Sequence, residues 1–178
     1  MSAEDRIRWD RRYASWDRDR VDAVHLPAEF EPYTDHFPTA GSALDIACGR
    51  GAAALWLGRR GLQVWGYDIS PVAIGQATEL ARMHGLADRC HFSVTDLDAG
   101  LPPGASSEVV ICNKFRDRNL DEAVVERLAP GGVLAISALS AGPDGSARFG
   151  VRPGELRRAF AGLEVIAAGD TWLLARKR

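Results

Sequence analysis

Asp45 stands four positions before Gly49 in the stretch ALDIACGRG, residues 43–51, and Gly51 closes the same small-residue turn. Asp68, in YDIS, follows about 20 residues later, where an acid at the tip of a second strand accepts from two ribose hydroxyls. Asp96, in TDLD, ends a third strand-like run and reaches toward an adenine amine. Backbone N–H groups in a turn that leaves a strand and enters a helix face a ligand. The tips of consecutive parallel strands form one crevice, so the three acids converge.

Gly49, Gly51 and Ala54 also satisfy G-x-G-x-x-A, the dinucleotide fingerprint. Asp45 argues against a dinucleotide. A pyrophosphate gains nothing from a carboxylate beside its turn. A phosphate-free ligand with a cationic end does, and S-adenosylmethionine (SAM) carries an ammonium, a sulfonium and one carboxylate.

These residues need a scaffold of alternating strands and helices. SALDIA reads as a short buried strand, and AAALWLGRR as a helix closed by Gly61. LQVWGYD is a strand; Ser70 and Pro71 then start a helix that runs to His84 and Gly85. CHFSVTD and EVVICN are strands. The helix NLDEAVVERL, residues 119–128, is expected to end at Pro130-Gly131-Gly132, before the strand VLAISALS. A glycine-rich loop, AGPDGSARFG, and a helix from Pro153 follow. LEVIAA and TWLLARK, separated by Gly169-Asp170, must pair antiparallel. Upstream, Ser2 and Asp5 have capping-box spacing, and Trp9, Tyr13 and Trp16 fall on one helix face. A short helix after Pro27 carries Phe30 and Tyr33 and stops before Pro38.

The chain has 178 residues and a net charge of −2, which fits one domain and gives no attraction for a nucleic-acid backbone or an anionic membrane. Cys48, Cys90 and Cys112 lack C-x-x-C spacing, and His25, His36, His84 and His91 lack metal-ligand spacing, so no metal is expected. Free cysteines and the absence of a signal-like start lead to an expectation of a cytoplasmic location. The expected organisation is a single unit, 1–178, with residues 1–37 as a helical cap on a core of 38–178.

ALDIACGRG, YDIS, TDLD and LAPGGVL together resemble the class I SAM-dependent methyltransferases, from about residue 40 to the end. The resemblance implies an α/β, Rossmann-like, seven-stranded mostly parallel sheet of order 3-2-1-4-5-7-6, its last strand antiparallel and helices on both faces. It places Asp45, Ala47, Gly49 and Gly51 at the methionine end of SAM, and Asp68 and Ile69 at the ribose. Asp96 and the backbone of Leu97 fall at the adenine, and Asn113 on the methionine and substrate side. The product is S-adenosylhomocysteine (SAH).

The acceptor side is read from the loops. In NKFRDRN, Phe115 walls the pocket and Arg116 holds an anionic acceptor; KFRDR also reads as a solvated turn with local ion pairs. Trp9, Tyr13 and Trp16 read either as a stripe of core packing or as a face that closes over the cofactor, where aromatic faces favour a sulfonium. His25 is the histidine of the cap, and Arg148 and Phe149 precede the last helix. DLDAGLPPG, EVVICN and RPGELRRAFAGLEVI are similar to the small tellurite-resistance and thiol or chalcogen methyltransferases, which implies a thiol or chalcogen oxyanion as acceptor. Gly169-Asp170 departs from that group, whose last strands are joined by a longer excursion bearing histidine and arginine, so the acceptor stays open. The expected partner is a small molecule, with no nucleic acid and no membrane, in a monomer or homodimer. The alternatives are a non-catalytic SAM-binding module and a NAD(P)-dependent oxidoreductase.

Overall fold

The computed structural model describes residues 3–15, 24–141 and 150–178. Ser2, Trp16, Arg148, Phe149 and most of the glycine-rich loop lie outside them. Nine strands and five α-helices are described: α1 Ala3–Ala14, β1 Ser42–Ile46, α2 Ala52–Arg60, β2 Gln63–Asp68, α3 Pro71–Met83, β3 Cys90–Val94, β4 Ser107–Cys112, α4 Asp121–Arg127, β5 Leu128–Ser137, β6 Leu139–Ser140, β7 Gly150–Val151, α5 Glu155–Ala159, β8 Glu164–Ala168 and β9 Trp172–Arg176.

Seven strands form one sheet, in the order β3-β2-β1-β4-β5-β9-β8; β6 and β7 pair separately. With that short pair set aside, the order is the expected 3-2-1-4-5-7-6. The first five strands run parallel, and β9 is antiparallel to both β5 and β8. The three-residue connection, residues 169–171, permits nothing else.

Strand alternation divides the core into two layers. Leu44, Ile46, Val110, Cys112, Leu134 and Ile136 face α4 and α5, through Val124, Leu156 and Phe160. Ala43, Val109, Ile111, Val133 and Ala135 face Leu55 and Leu57 of α2, Leu80 of α3, and Phe30 and Phe37. Both faces of the central strands are therefore covered, as their unbroken apolar runs require.

Two elements differ from expectation. The segment 119–128 splits into a 3-10 turn, Arg118–Leu120, and the short helix α4. β5 then begins at Leu128, ahead of Pro130-Gly131-Gly132. The ladder absorbs that turn as a register shift between Ser107 and Val109. Gly131 N–H donates to the Lys177 carbonyl and Lys177 N–H to the Gly132 carbonyl, at 2.9 Å each. A cross-strand partner thus keeps the turn inside the sheet. The segment after Pro27 forms a 3-10 helix, Glu31–His36. No helix among the described residues is long and apolar enough to cross a membrane.

Candidate active site

β1 ends in the turn that organises the site. Ala47 takes φ +54 and Gly49 φ +53. Cys48 N–H donates to the Tyr67 carbonyl at 3.0 Å, and Gly51 N–H to the Cys48 carbonyl at 2.9 Å. Gly51, at φ +79, immediately precedes α2. A β-carbon on Gly51 would lie 2.8 Å from the Phe92 ring, so this glycine serves packing against β3. One on Gly49 would lie 2.7 Å from the Tyr13 hydroxyl.

Asp68 locks the turn from the neighbouring strand. One carboxylate oxygen accepts from Gly49 N–H at 2.9 Å, and the other from Ser70 N–H at 2.9 Å. Burial pushes its acidity weaker than an ordinary aspartate, while the backbone bonds to Ser70, Gly49 and Ile69 pull the other way. Asp45 lies opposite Gly66 on one side and Ile111 on the other, and is 2% exposed. Its Oδ2 has no hydrogen-bond partner. Burial pushes its pKa up to about 8; a backbone bond from Ala54 opposes the shift and the Asp68 charge adds to it. Cys48 beside them is held well above an ordinary thiol, first by burial, then by Asp45 and Asp68.

Helix α1 reaches this turn by lying against α3. Ser70 Oγ donates to Asp10 at 2.5 Å, and Gln76 Nε2 donates to the Tyr13 carbonyl at 3.1 Å. Trp9 and Tyr13 stack with centroids 5.9 Å apart, and the Arg12 guanidinium sits 5.3 Å from the Trp9 ring centre. Burial drives the Tyr13 phenol upward, with Asp68 contributing.

The β4 tip supplies the third wall. Ser137 Oγ donates to Asn113 Oδ1 at 2.8 Å and accepts from Lys114 N–H at 3.2 Å. Lys114 takes φ +56. Ala47 and Lys114 are the two non-glycine residues with positive φ among the described residues, and both line the cavity. Such strain costs roughly 1–2 kcal/mol per residue and clusters at functional sites.

The walls enclose about 320 Å³. From the expected set, Trp9, Tyr13, His25, Asp45, Ala47, Gly49, Asp68 and Asn113 come together there. Phe115, expected as a wall, is present too. Gly51, Ile69, Asp96 and Leu97 do not line it. Ile69 and Leu97 are buried in the core layer, and Asp96 accepts from Asp98 N–H at 3.0 Å. His25 Nδ1 lies 2.7 Å from the Leu26 carbonyl. The cavity also holds Cys48, Arg50 and Lys114, to which the sequence reading assigns no binding role, and Arg12, which was expected on the helix face opposite Trp9 and Tyr13. Arg12 lies three positions after Trp9, a spacing that places it on the same helix face.

Arg116 is a correction. Its guanidinium is 2% exposed and does not reach the cavity. It forms a two-pronged pair with Asp121, one arm at 2.8 Å, and lies 3.9 Å from Glu155 and 5.8 Å from the Phe160 ring centre. Two carboxylates at the starts of α4 and α5 hold it as an internal strut.

Residues 43–132, just over half of the chain, match the family model described as "Methyltransferase domain". The chain is 32% identical over 108 residues to the ribosomal RNA small subunit methyltransferase C of Alcanivorax borkumensis, covering 55% of this chain and 32% of that protein. It is 24% identical over 135 residues to the ubiquinone biosynthesis O-methyltransferase of Psychrobacter arcticus, covering 72% and 52%. The chain thus spans about a third to a half of these curated relatives. TehB from Haemophilus influenzae shares the fold, with a TM-score of 0.76 at 16% identity over 90% of this chain and 65% of that one. Family match, strand order and the acid-bearing glycine turn agree: the chain belongs to the methyltransferase-domain family and has the fold of the class I SAM-dependent methyltransferases.

Proposed function

We propose that the chain binds SAM in this cavity and methylates a small-molecule nucleophile, a thiol, a chalcogen oxyanion or a similar soft centre. The observation that carries the reading is the unpartnered Oδ2 of Asp45, 2% exposed, on the cavity wall beside the Asp68 carboxylate. A buried carboxylate oxygen without a donor is costly, and an ammonium supplies the missing donors and the opposite charge. The residues present therefore fit the methionine end of the cofactor. When bound, SAM supplies a methyl group already activated by a sulfonium.

The chain's own contribution is to bind, orient and exclude water. Asp45 and the turn Ala47–Gly49 hold the ammonium end, and Asp68, already fixed by two backbone donors, accepts from ribose hydroxyls. The stacked Trp9 and Tyr13 cover the site, with faces that favour a cation. Asn113 and Phe115 border the acceptor's side. A volume near 320 Å³ lies within the range of small-molecule ligand pockets. The ubiquinone-biosynthesis relative, an O-methyltransferase by name, supports a small-molecule acceptor as well.

Calorimetry with SAH, NAD and NADP tests the cofactor assignment. SAH alone is expected to bind, and Asp68→Ala to weaken it by the loss of charge-assisted bonds worth about 1.5–3 kcal/mol. Binding of a dinucleotide in place of SAH would overturn the reading. Labelled SAM supplied with thiols and chalcogen oxyanions then tests the acceptor class.

A further inference from the structure

The cavity's charges are sorted by depth. Asp45 and Asp68 are 2% and 5% exposed, while Arg12, His25 and Lys114 are exposed residues on the same lining. One end is buried and acidic; the other is open and basic. We infer that Lys114, Arg12 and His25 form a docking site for an anionic methyl acceptor, one carrying a carboxylate or an oxyanion next to its nucleophilic atom. The inference rests on the cofactor reading above and narrows its acceptor.

Two observations support it. First, neighbouring cations of the same segment are already neutralised. Arg116 is paired with Asp121 and Glu155, and Arg118 with Glu155 at 2.7 Å. Lys114 lies between this segment and the cavity, and its ammonium has no hydrogen bond or ion pair among the described residues. Arg12 contacts the face of Trp9, which leaves its charge uncompensated by a carboxylate among those residues. Second, the base of Lys114 is fixed. Its left-handed backbone is held by Ser137, the residue that also orients Asn113. Backbone strain at an exposed lysine is retained where the surroundings over-determine it. His25, whose Nδ1 lies 2.7 Å from the Leu26 carbonyl, borders the same open end of the cavity.

An anion at this end has two sources, the acceptor or the carboxylate of the cofactor itself. Mercaptoacetate and 2-mercaptoethanol separate them, because both carry a thiol and only the first carries a carboxylate. Their binding to SAH-saturated protein is measured by ligand-observed NMR, and SAH affinity by calorimetry. Wild type is expected to bind mercaptoacetate about tenfold tighter, the scale of one charge-assisted contact. Lys114→Gln with Arg12→Gln should erase that preference and leave SAH affinity within about threefold, the range of an exposed charge. Equal binding of the two thiols to wild type would overturn the inference and leave the cofactor reading standing. A tenfold or greater loss of SAH affinity in the variant would also overturn it, by assigning the cations to the cofactor carboxylate. Wild type that binds no SAH would sink both readings at once.

Discussion

The hydroxyl of Tyr13 closes over the α-carbon of Gly49, leaving no room for a side chain: a β-carbon there would stand 2.7 Å from the phenol oxygen and 3.4 Å from the next ring atom. Helix α1 is thereby keyed to the turn after β1. Gly49→Ala is expected to lose about 1–2 kcal/mol from its left-handed backbone alone, and more from the contact. Adding Tyr13→Phe removes the closest atom and should recover about 1 kcal/mol. Urea denaturation of the four proteins in this cycle measures the coupling; strictly additive effects would mean that α1 does not rest on the turn in solution.

Asp45 gives the ligand-free protein a distinctive pH response. Its pKa rises from 3.8 to about 8 on folding, so the folded state holds an extra proton between those values. Stability from this group is therefore greatest in acid and is lost as pH climbs through the interval to about 8. Asp45→Asn should flatten that part of the profile in melts from pH 5 to pH 9. With Asp45 holding the ammonium as proposed, SAH binding would require the charged carboxylate and so expel the proton. Its affinity should tighten with rising pH up to about 8, with proton release visible as buffer-dependent heats. Asp45→Asn should bind SAH weakly and without that slope.

Cys48 lines the cavity proposed for an alkylating ligand, and its surroundings disfavour a nucleophilic thiolate. Burial and the two neighbouring carboxylates disfavour the thiolate, which is the reactive form. Iodoacetamide at pH 8 should label Cys48 at least about tenfold more slowly than a free cysteine, as followed by mass spectrometry. Asp45→Asn should accelerate the reaction. Labelling of the wild type at the free-thiol rate would contradict this electrostatic account.

Arg116 is expected to matter for stability. Replacing it with methionine leaves Asp121 and Glu155 facing an apolar side chain. Because these carboxylates are 26% and 18% exposed, the loss should be about 2–3 kcal/mol, below the ~3–5 of a fully buried pair. Arg116→Met with Asp121→Asn should recover part of it. A Arg116→Met protein of unchanged stability would show that the strut carries no load.

The repeating units of the fold were legible because each carried its own punctuation. Ser70-Pro71 opened α3, and the Ser70 hydroxyl does accept from Ala73 N–H at 3.1 Å. Gly61 closed α2, and Gly169-Asp170 forced the terminal hairpin. The Pro130-Gly131-Gly132 turn misled, because the residue that keeps it within the sheet is Lys177, 46 positions after Gly131 and invisible to any local window. The candidate site divides in the same way. Asp45, Asp68 and the glycines sit at strand tips, where alternation and turn chemistry announce them. Arg116 could not be judged from its neighbours alone, since Glu155, which shares it with Asp121, comes from a distant helix.

The solitary acid on β1 has a consequence for the life of the molecule in a cell. A carboxylate lodged where the strand's other inward residues are apolar makes the empty form the weaker one. A bound cation at that spot, at free concentration c, raises resistance to unfolding by RT ln(1 + c/Kd), which grows with the logarithm of its concentration above Kd. Proteolysis of the transiently opened chain would then be slower with the donor bound than without it.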